Sequence, residues 1–151
     1  MSNNWIALIP QDPYFLPTEA AIQSAKDRFA ALAPEADEIE IKLSDHIQFF
    51  DCGENFTRIS CPSCHQTMDN EWWQEKMHED FEDGGFHLKG YRMPCCGHWT
   101  SLNDLQYHWS QGFARFAIDV MNPNIGKLTN TEIHEFELLL GTPLRVIYRH
   151  L

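Results

Sequence analysis

Leu128-Thr129-Asn130-Thr131-Glu132-Ile133 is the clearest helix start in the chain. Thr129 and Glu132 have the spacing of a capping box, in which each side chain takes the other residue's orphan backbone N–H. Leu128 and Ile133 form the hydrophobic staple that fixes the entry angle. Ile133, Phe136 and Leu140 continue the helix as an apolar stripe, Gly141 fits its C-cap, and Pro143 forbids continuation. Upstream, residues 113–121 read as a strand with Phe116, Ile118 and Val120 on one face, and residues 144–151 downstream are again rich in β-formers. The closing third is therefore a β-α-β unit.

The opening of the chain repeats that order. Residues 5–9 are an apolar run ended by Pro10, and a loop with Pro13 and Pro17 leads to Thr18, a candidate N-cap. Ile22, Ala25, Phe29 and Leu32 then recur on one face of a 3.6-residue period until Pro34. In residues 38–43, Ile39, Ile41 and Leu43 alternate with Glu38, Glu40 and Lys42, the pattern of a half-buried strand. Two β-α-β units predict an α+β fold, a ferredoxin-like split β-α-β sandwich with a four-stranded antiparallel sheet and both helices on one face.

On this reading the sandwich is discontinuous, residues 1–45 and 113–151, and residues 46–112 are an inserted zinc-ribbon-like module. Within the insertion, Phe49-Phe50 and Phe56-Thr57-Arg58-Ile59 flank the turn at residues 51–55 and read as a hairpin. Asp69 caps a helix carrying Trp73, Met77 and Phe81, and residues 86–93 return as a strand.

The insertion holds two cysteine pairs, Cys61-Pro62-Ser63-Cys64 and, after thirty residues, Cys95-Cys96-Gly97-His98. A C-x-x-C knuckle followed by a second thiol-rich turn is the spacing of a tetrahedral zinc site. The alternative, Cys61 and Cys64 as small buried hydrophobes, does not account for two pairs placed in turns. Cys95 and His98 make a regular C-x-x-H, whereas neighbours such as Cys95 and Cys96 point to opposite faces of extended backbone. Gly97 gives the freedom for a turn that brings both to one ion, so Cys96 and His98 compete for the fourth position. Either set leaves no open coordination position, which makes the Zn2+ structural, and its free energy would hold a module too small to bury a core unaided.

Composition narrows the function classes. The 151 residues fit one domain, and ten Phe, five Trp and four Tyr argue against disorder. Five cysteines, an odd number of which Cys52 is left over, fit a reducing compartment better than a disulfide framework. The start of the chain lacks a basic, apolar leader and no run suits a membrane span, so the reading is cytoplasmic. The net charge is -11, and the first 45 residues carry eight acids against three bases. With no Lys/Arg cluster, a nucleic-acid-associated zinc ribbon is the weakest option, while acidity serves either solubility or a basic protein partner.

Ile9-Pro10-Gln11-Asp12-Pro13, Cys61-Pro62-Ser63-Cys64 with Trp72-Trp73, Pro94-Cys95-Cys96-Gly97, Ser101-Leu102-Asn103-Asp104-Leu105 and Gly112-Phe113-Ala114-Arg115-Phe116 form a set. In these motifs the chain resembles a family of small, uncharacterised bacterial proteins containing a zinc ribbon, and the resemblance runs over nearly the whole length. It implies Cys96 as the fourth ligand, because the family pattern carries Pro-Cys-Cys-Gly without requiring a histidine next. It makes no demand on Cys52 and brings no established activity.

No catalytic residue emerges. The eight histidines are scattered, and His78-Glu79 lacks the H-E-x-x-H spacing because position 82 is Glu. Residues 101–116 are the most informative stretch outside the cysteines. Their first reading is a core strand beside the zinc module. The functional alternative is a recognition groove with Trp109 and Arg115 as anchors and Asn103 and Asp104 as polar contacts. The function expected is a non-enzymatic, zinc-stabilised protein-interaction module with an acidic surface suited to a basic protein partner. The alternative is a small metalloenzyme or ligand-binding protein with a pocket between module and sandwich. Oligomeric state is not set by the sequence.

Overall fold

The computed structural model describes residues 2–151. In chain order its elements are β1 (Asn4–Pro10), α1 (Glu19–Leu32), β2 (Glu38–Phe50), β3 (Ile59–Ser60), α2 (Asn70–Asp80), β4 (Phe81–Glu82), β5 (Gly85–Phe86), β6 (Tyr91–Arg92) and β7 (Trp99–Thr100). A single 3-10 turn at Leu102–Asp104, β8 (Gln106–Tyr107), β9 (Gly112–Met121), α3 (Asn130–Leu140) and β10 (Leu144–His150) follow. The fold is α+β, as the sequence predicts. Its main sheet has the order β10-β1-β9-β2-β5-β4, and every pair in it is antiparallel.

Local signals place both helices of the sandwich. Thr18 Oγ1 accepts the Ala21 N–H at 3.1 Å and starts α1. The Thr129–Glu132 capping box starts α3, and Gly141 ends it in the left-handed conformation. Both helices pack on one sheet face, where Phe29 meets Phe136 with ring centroids 5.1 Å apart among Ile6, Leu8, Phe116, Ile118 and Val120. Full burial of such side chains contributes roughly 1.5–3 kcal/mol each and fixes the register of every strand beneath them.

Five expected details differ. The sheet has six strands rather than four, because β5 and β4 extend it beyond β2 through Ile47 and Phe86. Residues 49–59 are not a hairpin: the turn forms, with Asn55 N–H donating to Cys52 O at 3.3 Å, but its flanks part. Glu54 N–H donates to His150 O at 2.7 Å, and β3 pairs with β8 instead. Residues 86–93 are not one strand, because Leu88 has a left-handed backbone and the N–H groups of residues 87–89 turn to the Asp80 carboxylate. Phe81 leaves the α2 stripe, lying 46% exposed at the start of β4. Leu43 is 60% exposed although Ile39 and Ile41 pack against the helix layer. Alternation assigns a side chain to a sheet face; it does not say whether a helix covers that part of the face.

The module has a core of its own, built partly from the main strands. Ile59, Cys61, Met68, Met93, Leu102 and Leu105 cluster with Ile47 of β2 and Phe113 of β9. Trp73 stacks on Phe56 at 5.6 Å, meets Phe49 edge-on at 5.9 Å and donates its Nε1–H to Tyr107 Oη at 3.2 Å. The expectation that the insertion cannot bury a core unaided is thus refined: its core includes Ile47 and Phe49 from the end of β2 and takes Phe113 of β9 from outside residues 46–112.

Candidate metal centre

The first cysteine pair sits in a tight turn between Ile59 and Met68. Cys61 N–H donates to Gln66 O at 2.9 Å, and His65 N–H returns to Cys61 O at 3.0 Å. The second pair sits in the same hydrogen-bond frame: Met93 N–H donates to His98 O at 2.8 Å, and Gly97 N–H returns to Met93 O at 2.8 Å. His65 and Gly97 occupy equivalent left-handed positions, φ 64° and 77°. Superimposing the frames makes Cys96 the counterpart of Cys64, while buried Met93 takes the place that Cys61 holds in the first turn. Cys95 supplies the missing sulfur from one residue before Cys96.

This is how neighbouring cysteines reach one cluster. They lie in a turn, closed by Gly97, and not in extended backbone. The sulfurs of Cys61, Cys64, Cys95 and Cys96 all lie within 4.8 Å of one another, and His98 is not a member of the group. Two of the six separations are 3.4 Å, Cys64 to Cys95, and 3.7 Å, Cys61 to Cys96. A tetrahedron with metal–sulfur bonds of about 2.3 Å has edges of about 3.8 Å, so the donor set fits one thiophilic tetrahedral ion. All five cysteines are free thiols.

The thiols are not equivalent. Burial drives Cys61 up, but the N–H groups of Cys64 and Ser63 and the neighbouring thiols of Cys95 and Cys96 outweigh it and bring it down to about 7. Ser63 N–H points at the Cys61 sulfur from 3.4 Å. Burial first, then hydrogen bonds with Cys64, Cys61 and Cys96, push Cys95 up to about 12. Four thiolates held this close repel one another, and a bound cation would offset that repulsion. Cys52 stands apart: it is buried against Ala7, Ile9 and Ile147, and burial, then the Asp51 charge, push its thiol up to about 11. It is a core residue.

Asp80 is the module's other organising group, and the sequence reading passes over it. It is fully buried, and its two oxygens accept the N–H groups of His87 at 3.0 Å, Leu88 at 2.8 Å and Lys89 at 2.8 Å, and the Tyr91 hydroxyl at 3.1 Å. Burial, then that hydrogen bond and the Asp80 charge, hold the Tyr91 phenol well above its ordinary range, so it stays a donor. The carboxylate thereby shapes the loop that delivers β6 to Cys95. One sequence signal was available: an acid in the last turn of a helix is disfavoured by the dipole unless donors wait for it.

The four residues of the expected groove do not share one. Asn103 is buried, accepts Phe113 N–H at 3.2 Å and Arg145 Nη1 at 3.0 Å, and ties β9 and β10 to the 3-10 turn. Asp104 is exposed and accepts the Ser101 hydroxyl at 3.1 Å. Trp109 lines an open cavity of about 840 Å3, where Lys127 sits 5.2 Å above its ring. Arg115 lines two other cavities. The residue missed here is Arg145, whose Nη1 also donates to Gln111 O at 2.7 Å and whose Nη2 donates to Asn103 O at 3.2 Å. A Cβ on Gly112 would stand 2.6 Å from Arg145 Nη1 and 2.9 Å from Ile9 Cδ1, so only glycine admits this clamp.

No helix among the described residues is long and apolar enough to cross a membrane. Comparison with protein-family models, with curated proteins and with solved structures finds no match to this chain.

Proposed function

We propose that this protein is a non-enzymatic, zinc-stabilised protein-interaction module: a ferredoxin-like split β-α-β sandwich carrying a zinc-ribbon-like insertion at about residues 46–112. The strand order β10-β1-β9-β2 with α1 and α3 on one face supports the sandwich, and the paired turns at Cys61–Cys64 and Cys95–Cys96 support the ribbon. The observation that carries the reading is the cluster of four protein sulfurs within 4.8 Å. Four thiolates complete a tetrahedral set and leave no position for water or substrate, which is the mark of a structural site. Zinc is the ion such a set suits in a reducing, cytoplasmic setting.

The partner follows from charge. Glu71, Glu75 and Glu79 are exposed along α2, and Glu35, Asp37, Glu38 and Glu40 are exposed around the start of β2, in a chain of net charge -11. Acidic faces of this kind attract a basic protein and repel a phosphate backbone. X-ray absorption on the purified protein should find one zinc per chain with four sulfurs at about 2.3 Å; an oxygen ligand from solvent would favour the metalloenzyme instead. Affinity purification should recover a basic protein released by salt, with Glu71→Lys and Glu75→Lys together reducing recovery. Undiminished recovery by the charge-reversed protein, or salt-sensitive retention of the chain on heparin, would overturn the partner assignment.

A further inference from the structure

The helix-free face of the main sheet meets the module at a cavity of about 380 Å3 whose lining includes Ala7, Lys42, Arg115, Arg149, Asp51 and Asp119. In a chain with 11 Lys and Arg against 22 Asp and Glu, this cavity gathers three of the eleven cations, beside the carboxylates of Asp51 and Asp119. Two of them already have carboxylates: Lys42 Nζ lies 3.1 Å from Asp119, and Arg149 Nε lies 3.4 Å from Asp51. Arg149 also stacks over Trp5 at 5.0 Å. Its Nε–H is buried and makes no hydrogen bond, so the Asp51 oxygen balances its charge without accepting its proton.

Arg115 differs from both. It sits on β9 opposite a bulge: β2 has four residues, Ser44 to Ile47, between partners Leu43 and Gln48, where β9 has only Arg115 between Phe116 and Ala114. Bulges re-aim side chains. Here the Arg115 backbone N–H goes to Pro13 O at 3.1 Å, and its Nε donates to Ser44 O at 3.1 Å. Among the described residues no carboxylate lies within ion-pair distance of its guanidinium. It also lines a second cavity, of about 210 Å3, beside Tyr14, Asp45, His46 and His87. One neutral carbonyl therefore fixes the Nε edge of a cation whose terminal N–H groups stay available to both cavities.

We propose that this junction is a binding site for a small-molecule oxyanion, a carboxylate or a phosphate group, held by the Arg115 guanidinium. The planar fork of terminal N–H groups matches two oxygens of either group. Ala7 at the site leaves room over the sheet for the rest of the molecule. The assignment goes beyond the protein-binding reading and does not depend on it or on the metal.

The test is a titration of the full-length, zinc-loaded protein with inorganic phosphate and, separately, malonate at constant ionic strength, followed by the arginine side-chain Nε–H resonances. Arg115 should shift and saturate while Arg28, paired with Glu135 at 2.9 Å on the helix layer, stays still. The tighter of the two probes assigns the group. Arg115→Lys, which keeps the charge and loses the fork, should weaken binding about tenfold or more. A shift at Arg115 that never saturates with either probe, an equal shift at Arg28, or unchanged affinity in folded Arg115→Lys overturns the site. The wild-type titration decides the matter alone if the variant does not fold.

Discussion

The sandwich and the module solve the same problem by different means. In the sandwich, strands of seven, thirteen, ten and seven residues present alternating faces to two helices, and apolar burial does the work. In the module the strands from β3 to β8 are two residues long, too short for a ladder to specify register. There, four sulfurs and one buried carboxylate define the chain path. The lesson is that long elements are held by repeated weak contacts, whereas short ones need a few strong, directional ones.

Metal removal should separate the two regions most. A structural zinc contributes on the order of 10 kcal/mol in small modules. A chelator, or Cys61→Ser, should therefore abolish the near-UV circular dichroism of Trp72, Trp73 and Trp99 while amides of α1 and α3 keep their exchange protection. An unchanged spectrum and melting temperature after zinc loss would end the distinction. Phe136→Ala is the opposite experiment. It should destabilise the sandwich by about 3–5 kcal/mol in denaturant unfolding and leave zinc stoichiometry at one per chain. Loss of zinc in that variant would mean the regions fold as one unit.

Asp80→Asn is the smallest and most discriminating change. The amide keeps one acceptor oxygen but cannot serve three N–H groups and a hydroxyl, so a cost of about 2 kcal/mol is expected. It should appear as faster exchange at Leu88 and Lys89, with α3 protection unchanged. If exchange at those amides does not move, the carboxylate is not what shapes the loop.

This contrast also explains what could be read from the sequence. Thr129, Glu132 and Gly141 act on residues within a turn of themselves, so the capping box and C-cap were legible. The cysteine pairs were legible because ligand chemistry selects residue type and spacing. Gly97, read as the source of turn freedom, has the positive φ that this requires. The module's strands were not legible, since two residues carry no periodicity. Nor was Arg145, whose partners are backbone carbonyls and an amide 34 and 42 residues away. Trp109 and Arg115 are close in sequence, yet the start of β9 at Gly112 lies between them and sends them to separate cavities. Sequence proximity misled there because a strand start redirects the chain.

β2 runs for thirteen residues beside ten of β9, its ladder interrupted at the bulge of Ser44–Ile47. Its first half supports the helices through Ile39 and Ile41, and its second half supplies Ile47 and Phe49 to the module. β9 does the same in reverse, with Phe113 on one side and Ile118 on the other. The two regions are therefore joined by a pair of antiparallel beams in place of a hinge. Load applied at the thiol cluster enters the sandwich through these two strands. It must travel along the beams through the bulge at Ser44–Ile47, the one place in that pair where the ladder has slack.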